Sequence, residues 1–329
     1  MIGGLDVIHC LSNSMVEEWK ATDRDRKLMK LAVILVNYNG KKYNTACIDS
    51  IFANTGIAAL KIIVVDNASQ DDSVSQIEER CHKEERLELI RLDNNYGFSY
   101  ANNVGIRSAQ EWGADYVLLL NNDTEIASDM LSHLRECARR HPGCMVVPKI
   151  YYSDDRQRIW SAGGAVSPVV RKVRHIGINK IDEGQYDQER EIGFATGCCL
   201  LIPMETIQKA GMLDERFFLY YEDTEYSFRL HKLGISIYYC PEAVLYHKVG
   251  ASSKGADSAL CAYYIARNWL LCSRQHLAWR YPVFLLYYIV NRTACCFVWL
   301  MRGKRELVRA TIRGIRDYQR RKFGRAAGY

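Results

Sequence analysis

Tyr116-Val117-Leu118-Leu119-Leu120-Asn121-Asn122-Asp123-Thr124 is an apolar run that stops in a cluster of oxygen-bearing side chains. A continuous apolar run of this kind reads as a strand covered on both faces. In an open α/β sheet, ligands bind outside the carboxyl ends of such strands. Asp123 is the one ionised group of the Asn-Asn-Asp trio, and carboxylate oxygen is a preferred ligand of hard divalent cations. Asn and Asp are also ordinary turn formers, so on its own the stretch reads more simply as a strand ending in a turn.

The chain before it changes that reading. Residues 31–36 form an apolar run ending in Asn37-Tyr38-Asn39-Gly40, and residues 60–65 form one ending in Asp66-Asn67-Ala68-Ser69. Residues 87–92 form a third, ending in Asp93-Asn94-Asn95-Tyr96-Gly97. A helical pattern follows each, through Asn54 after the first and over residues 99–112 after the third. Strands alternating with helices predict parallel β-α-β units with right-handed crossovers. The four polar clusters then collect on one edge of the sheet. One such end is punctuation, but four together describe a site.

Absent motifs narrow its chemistry. No G-x-G-x-x-G follows the first strand and no G-x-x-x-x-G-K-[ST] occurs, which disfavours a nicotinamide dehydrogenase and a P-loop enzyme. Neither a G-x-S-x-G nucleophile elbow nor H-E-x-x-H is present. A nucleotide bound here would not hold its diphosphate on a glycine loop, and a metal on Asp123 is the obvious substitute.

The 329 residues are 48% hydrophobic and 25% charged, enough for one large α/β domain with additions or for two domains. The 12 cysteines are scattered without a C-x-x-C pair, and the first 30 residues are polar rather than signal-like, which together favour a reducing, cytosolic setting. The net charge of +6 is uneven: residues 302–325 carry ten Lys or Arg against two carboxylates, a local +8 that leaves −2 for the rest.

Further along, residues 160–166 suit a strand or turn, residues 167–192 are polar enough for a mobile loop, and apolar structure returns over residues 194–202. An aromatic run, Phe217-Phe218-Leu219-Tyr220-Tyr221, then leads into Glu222-Asp223 at a helix start. Capping explains one carboxylate there. A second, flanked by aromatic rings, suits a tuned general base. Residues 235–240 and 243–246 read as two short strands, the second ending at His247, whose neutral imidazole is a good metal ligand.

In their order and spacing these segments resemble the inverting glycosyltransferases of family 2, with the GT-A fold, and especially the bacterial rhamnosyltransferase-like branch. The matching pieces are Val36 to Gly40, Val65 to Ser69, Asn95 to Gly105, Asn121 to Thr124, Phe194 to Ile202, Tyr221 to Asp223, His247 to Ser252 and Tyr263 to Asn268. The resemblance implies a Rossmann-like, mostly parallel sheet sandwiched by helices, spanning residues 31–256. Its first part, residues 31–125, would bind a nucleotide-diphosphate sugar, and residues 126–256 would carry the acceptor side and catalysis. Residues 1–30 precede this domain as a polar extension, and residues 257–329 follow it as a helical tail.

The implied roles attach residue by residue. Asn37, Asp66, Asn67, Asn95, Gly97, Asn102, Asn121, Asn122 and Arg267 would bind the nucleotide sugar. Asp123, with His247, would hold a divalent cation, Mg2+ or Mn2+. Asp223 would be the base with Glu222 beside it, and Trp160, Thr196 and Gly197 would face the acceptor, a glycan or lipid-linked glycan. The sequence departs from the family's D-x-D pattern, because Asn121 and Asn122 leave Asp123 as the one carboxylate. A non-catalytic nucleotide-sugar-binding or scaffold protein with the same fold is the alternative, disfavoured by the presence of both Asp223 and His247.

In the tail, the apolar runs 283–290 and 294–301 flank Asn291-Arg292-Thr293. A bilayer crossing needs about 20 apolar residues, and an Arg at its centre costs roughly 2.5–3.5 kcal/mol. An apolar helix followed by the +8 segment suits instead a monotopic attachment to the anionic inner face of the membrane. Nucleic acid is disfavoured, since the basic run belongs to no recognised binding module.

Overall fold

The computed structural model describes residues 29–167, 169–248 and 258–328, so the expected short helix near Trp19 and the positions Gly250, Ser252 and Ser253 lie outside the described residues. The first four strands are β1 (Lys30–Asn37), β2 (Ala59–Asp66), β3 (Leu87–Arg91) and β4 (Tyr116–Asn121). Between them run α1 (Asn44–Phe52), α2 (Ser73–Cys81) and α3 (Phe98–Glu111). After β4 come β5 (Thr124–Ile126), α4 (Met130–Arg140), β6 (Met145–Tyr152), β7 (Ile159–Ser161), β8 (Gly164–Val166), β9 (Val173–His175), β10 (Arg190–Glu191) and β11 (Cys199–Pro203). The chain continues through α5 (Met204–Ala210), α6 (Glu222–Lys232), β12 (Ile237–His247), α7 (Ala259–His276), α8 (Tyr281–Met301) and α9 (Arg305–Gln319).

One ten-stranded sheet runs in the order β10-β12-β6-β11-β4-β1-β2-β3, with β5 beside β12 and β7 beside β6. The four N-terminal strands pair in parallel, while β11 enters antiparallel between β4 and β6. Successive side chains of a strand point to opposite faces, and β1 shows the consequence. Leu31, Val33 and Leu35 join the core that includes α1 and α4, while Ala32 and Ile34 join the one that includes α3 and α6. Burial on both sides is why these strands read as unbroken apolar runs.

Two expectations change. The two short strands before His247 are one strand, β12, whose register against β6 shifts between Cys240 and Val244. That irregularity absorbs Pro241, which has no N–H to give a ladder. The polar segment 167–192, expected to be mobile, is fastened where it is described: Lys149 pairs with Asp182 at 2.8 Å and with Asp187, and Tyr239 Oη donates to the Tyr186 carbonyl at 2.9 Å. A buried Lys paired to two acids is the physical reason, since its charge must be compensated. The apolar helix expected in the tail is α8, which carries both apolar runs.

Candidate active site

Register places the polar strand ends side by side. Asn37 pairs with Asp66, Asp66 with Arg91, and Val36 with Asn121. Neighbouring strands are about 4.8 Å apart, so these ends form one surface. Asn37 clamps it. Its Nδ2 donates to Asp66 Oδ1 at 2.7 Å, to Ser73 Oγ at 2.9 Å and to Ser69 Oγ at 3.1 Å. Its Oδ1 accepts from Asn44 Nδ2 at 2.8 Å, from the Gly40 N–H at 3.2 Å and from Asn122 Nδ2 at 3.4 Å. Asn67 does the same for the third end, donating to Asn95 Oδ1 and the Gly97 carbonyl and accepting from the Tyr96 N–H.

Gly97 is required here on two grounds. Its φ is +91°, and a Cβ would lie 2.5 Å from the Phe218 carbonyl oxygen. The close approach lets the Phe98 N–H donate to that carbonyl at 2.8 Å, and Ser99 Oγ donates to the Phe217 carbonyl at 2.8 Å. The edge with Asn95 is thereby bolted to the aromatic run that leads into Glu222 and Asp223.

Asp123 sits in the turn between β4 and β5. Because His247 of β12 is paired with Thr124, its ring falls beside the Asp123 carboxylate, with Nε2 3.2 Å from Oδ1. Both side chains are buried. Burial opposes protonation of His247, while Cys198 and Asp123 favour it, and its pKa is raised to about 10. The Cys198 thiol is itself pushed up by burial and so neutral near pH 7, which leaves Asp123 as the partner that counts there. Trp160 lies edge-on to the His247 ring at 4.7 Å and packs on His175 at 4.6 Å. Burial and His247 together lower the pKa of His175 to about 4.

Oxygen and imidazole nitrogen converging at 3.2 Å suit a cation such as Mg2+ or Mn2+. His247 Nδ1 is buried with no hydrogen-bond partner among the described residues, and a cation taking Nε2 would displace the proton that His247 holds beside Asp123. The donor set therefore fits a divalent cation, though two protein donors fall short of the six ligands such ions take.

The acidic pair opens α6. Tyr220 and Tyr221 have φ of +67° and +74°, a left-handed turn that non-glycine residues adopt at a cost of about 1–3 kcal/mol each. Asn268 of α7 holds that turn, its Nδ2 donating to the Leu219 and Tyr220 carbonyls at 2.9 and 2.8 Å. The Asp223 carboxylate then accepts from the Gly197 N–H at 2.9 Å and the Thr224 N–H at 2.6 Å. Surrounding protein raises the Asp223 pKa and these hydrogen bonds oppose the rise, while part of the side chain still faces solvent. Glu222 is buried with Oε2 unpartnered among the described residues, and its pKa is driven well up, first by burial and then by the Asp223 charge.

This perturbation has a measurable sign. Below the ordinary carboxylate value of 4.5, Glu222 is protonated in folded and unfolded chains alike. As pH rises from there toward the raised folded value, the folded state keeps a proton that the unfolded state loses, so stability falls by about 1.4 kcal/mol for each pH unit climbed between the two values. The Tm of Glu222→Gln relative to wild type should therefore climb as the pH is taken from 4 to 7. A difference independent of pH would mean that Glu222 is not perturbed.

Gly197 and Cys198 join the two acidic centres, since Gly197 holds Asp223 while Cys198 touches His247 and its carbonyl accepts from the Asn121 N–H at 2.9 Å. Of the residues expected from the sequence, Asp66, Asn67, Asn95, Gly97, Asn121, Asn122 and Asp123 lie on or beside the strand-end surface, and Trp160, Thr196, Gly197, Glu222, Asp223 and His247 lie across it. Two assignments are corrected and one is refined. Arg267 does not reach this surface: its guanidinium is buried and donates to the Gly324 carbonyl at 2.7 Å, because α7 packs on α9 and turns that face toward the tail. Asn102 is on the buried face of α3 and returns its amide to the Phe98 carbonyl at 2.9 Å. Asn37 is a support rather than a contact, its amide fully spent inside. Sequence reasoning missed Asn44 and Ser73 and gave Phe218 and Asn268 no such supporting role, because their partners are far away in the chain.

The family model for glycosyl transferase family 2 matches residues 32–211. Among curated proteins, the low-salt glycan biosynthesis hexosyltransferase Agl10 of Haloferax volcanii is 27% identical over 245 residues, 74% of this chain and 75% of that protein. The N-acetylglucosaminyl-diphospho-decaprenol L-rhamnosyltransferase of Mycobacterium tuberculosis is 24% identical over 276 residues, 77% of this chain and 87% of that one. Among solved structures, the mannosyltransferase PcManGT from Pyrobaculum calidifontis, in complex with GDP-Man and Mn2+, superposes with a TM-score of 0.56 at 13% identity, over 95% of this chain and 96% of its own. The parallel strand ends, the antiparallel β11 and the matched residues lead to one assignment: the chain is a glycosyltransferase of GT-A fold and belongs to glycosyl transferase family 2.

Proposed function

We propose that the protein is an inverting glycosyltransferase that moves a sugar, rhamnose foremost, from a nucleotide-diphosphate donor to a hydroxyl of a lipid-linked glycan. The observation that carries this reading is the Asp223 carboxylate, held by the Gly197 N–H at 2.9 Å one residue from the Cys198–His247–Asp123 group. In inverting transfer the acceptor hydroxyl attacks the anomeric carbon directly, its proton passes to a base, and the nucleoside diphosphate leaves. Asp223 takes that proton, and burial that raises its pKa makes it a better acceptor. Gly197 and Thr224 aim its oxygens. Asp123 and His247 would hold a divalent cation, which stabilises the charge of the departing diphosphate as a Lewis acid. The strand-end surface with Asp66, Asn67 and Asn95 receives the nucleoside.

Attachment to the inner, cytoplasmic face of a membrane accompanies this reading. Residues 278–301 form a helix long and apolar enough to cross a membrane, with only 11% of its most apolar stretch buried. Arg292, however, turns toward the body, over the Trp269 ring at 5.4 Å, while Leu286, Ile289 and Phe297 are at least 59% exposed. A helix with its charge inward and its apolar face outward lies on a bilayer rather than through it.

The test is consumption of donor. With Mg2+ or Mn2+ and a prenyl-diphosphate-linked N-acetylglucosamine acceptor, release of nucleoside diphosphate is expected from one member of a panel of dTDP-, UDP- and GDP-sugars, with dTDP-rhamnose first. A panel that gives neither transfer nor donor-dependent thermal stabilisation overturns the reading.

A further inference from the structure

A cavity of about 900 Å³ shares no lining residue with the acidic centres. Eight Arg or Lys side chains line it against the single carboxylate of Asp317. Four of them, Arg309, Arg313 and Arg316 on α9 and Arg320 just past its end, recur at intervals of four, three and four residues, the spacing of one helix face. Asp317 is already engaged by Tyr263 Oη at 2.8 Å and by Arg313 at 3.9 Å. Arg309, Arg316, Arg320, Arg321 and Lys322 form no ion pair among the described residues. These five side chains are exposed, yet they line one concavity with a single acid among them.

The floor is the stronger observation. Arg267 is 1% exposed, yet no carboxylate pairs with it among the described residues. It donates to the Gly324 carbonyl at 2.7 Å, Asn268 Oδ1 at 2.9 Å, the Arg216 carbonyl at 3.4 Å and Tyr263 Oη at 3.5 Å, and lies over the rings of Tyr263 and Tyr264 at 5.4 and 4.9 Å. A buried charge without a counter-charge is costly. Because its N–H groups are turned inward, Arg267 contributes positive potential from beneath, and the guanidinium forks of Arg309, Arg316 and Arg320 on the lining match phosphate oxygens.

The surroundings say which phosphate. Trp299, near the end of the exposed apolar helix α8, packs on the cluster of Leu307, Ala310 and Tyr263 that forms the wall, so an apolar face runs directly up to the cationic cavity. On the other side Arg325 reaches Asn94 Oδ1 at 2.6 Å, beside the donor-edge residue Asn95. Arg267 is also adjacent in sequence to Asn268, which holds the turn before Asp223. We infer that this cavity binds the diphosphate of a lipid-linked acceptor, separately from the donor diphosphate at Asp123, with the exposed face of α8 taking the lipid chain. The inference rests on the reading of the acceptor as lipid-linked.

The test uses the full chain and three probes: farnesyl diphosphate, inorganic pyrophosphate and phosphatidylglycerol vesicles. Binding of farnesyl diphosphate should be at least about tenfold tighter than that of pyrophosphate, and should weaken about tenfold or more in Arg309→Gln/Arg316→Gln/Arg320→Gln. Arg316→Lys, which keeps the charge and removes the fork, should weaken it measurably at unchanged Tm. Three results overturn the inference: equal affinity for the two diphosphates, binding unaltered in the triple variant, or vesicle binding that accounts for the whole loss. Donor consumption by the wild type is measured in parallel. A consumed donor with no diphosphate preference sinks this inference alone, whereas an untouched donor sinks the proposed function.

Discussion

Asp223→Asn should lower sugar transfer by roughly 10²–10⁴-fold, the usual contribution of a positioned base, while donor binding is left nearly intact. Asn has the same shape, but its single amide oxygen can accept from only one of the Gly197 and Thr224 N–H groups, which meet different carboxylate oxygens, so the Tm of the variant is measured beside its turnover. What disappears is the proton acceptor. The pH profile adds an independent check. Because burial raises the folded pKa of Asp223 above its ordinary value, wild-type activity should rise with pH through a limb displaced upward from that of an ordinary Asp. Below that limb the carboxyl is protonated and cannot accept. The residual activity of the Asn variant should lack the limb. Turnover close to wild type would remove Asp223 as the base, and a limb surviving in the variant would pass the role to another group, with Glu222 the first to examine.

The second large effect is expected at Asp123. Asp123→Ala should weaken metal-dependent donor binding by about tenfold or more, the scale of losing one charge-assisted ligand, and EDTA should abolish wild-type transfer. The backbone there is safe, because the Asp123 carbonyl goes on accepting from the Lys248 N–H at 2.9 Å. His247→Ala should give a smaller loss, since a cation must first displace the proton that His247 holds beside Asp123 before the imidazole can ligate. With two protein donors against the six that Mg2+ or Mn2+ prefers, cation affinity should be weak in the absence of donor and should tighten when nucleoside diphosphate is present. Wild-type activity untouched by EDTA would end the metal role for this site.

The two experiments address groups whose neighbourhood was legible to very different degrees. Asp123 stands at the end of an apolar run and His247 at the end of another, so both were visible as strand ends. That they face one another at 3.2 Å was not. β12 reaches Asp123 only through pairing with β5, a three-residue strand too short to give a period. Asp223 was visible as one of two acids at a helix start. Its hydrogen bond from Gly197, 26 residues away, depends on where β11 enters the sheet. Arg267 shows the opposite error, since a family-like segment carried it to the donor surface while the docking of α9 on α7 turned it into another cavity.

By itself the sequence determined the parallel half of the sheet and the edge on which ligands gather. Strands buried on both faces must be apolar throughout, and the turns after them must be polar, so pattern and structure coincide. It also placed Asn121-Asn122-Asp123, with its single carboxylate, on that edge. The tertiary structure decided what long-range pairing controls: the antiparallel entry of β11, the Asp123–His247 contact, the strained Tyr220–Tyr221 turn held by Asn268, and the cationic cavity under α9. Hydrogen bonds and charges between residues far apart in the chain leave no local period in it, so only the folded backbone brings them together.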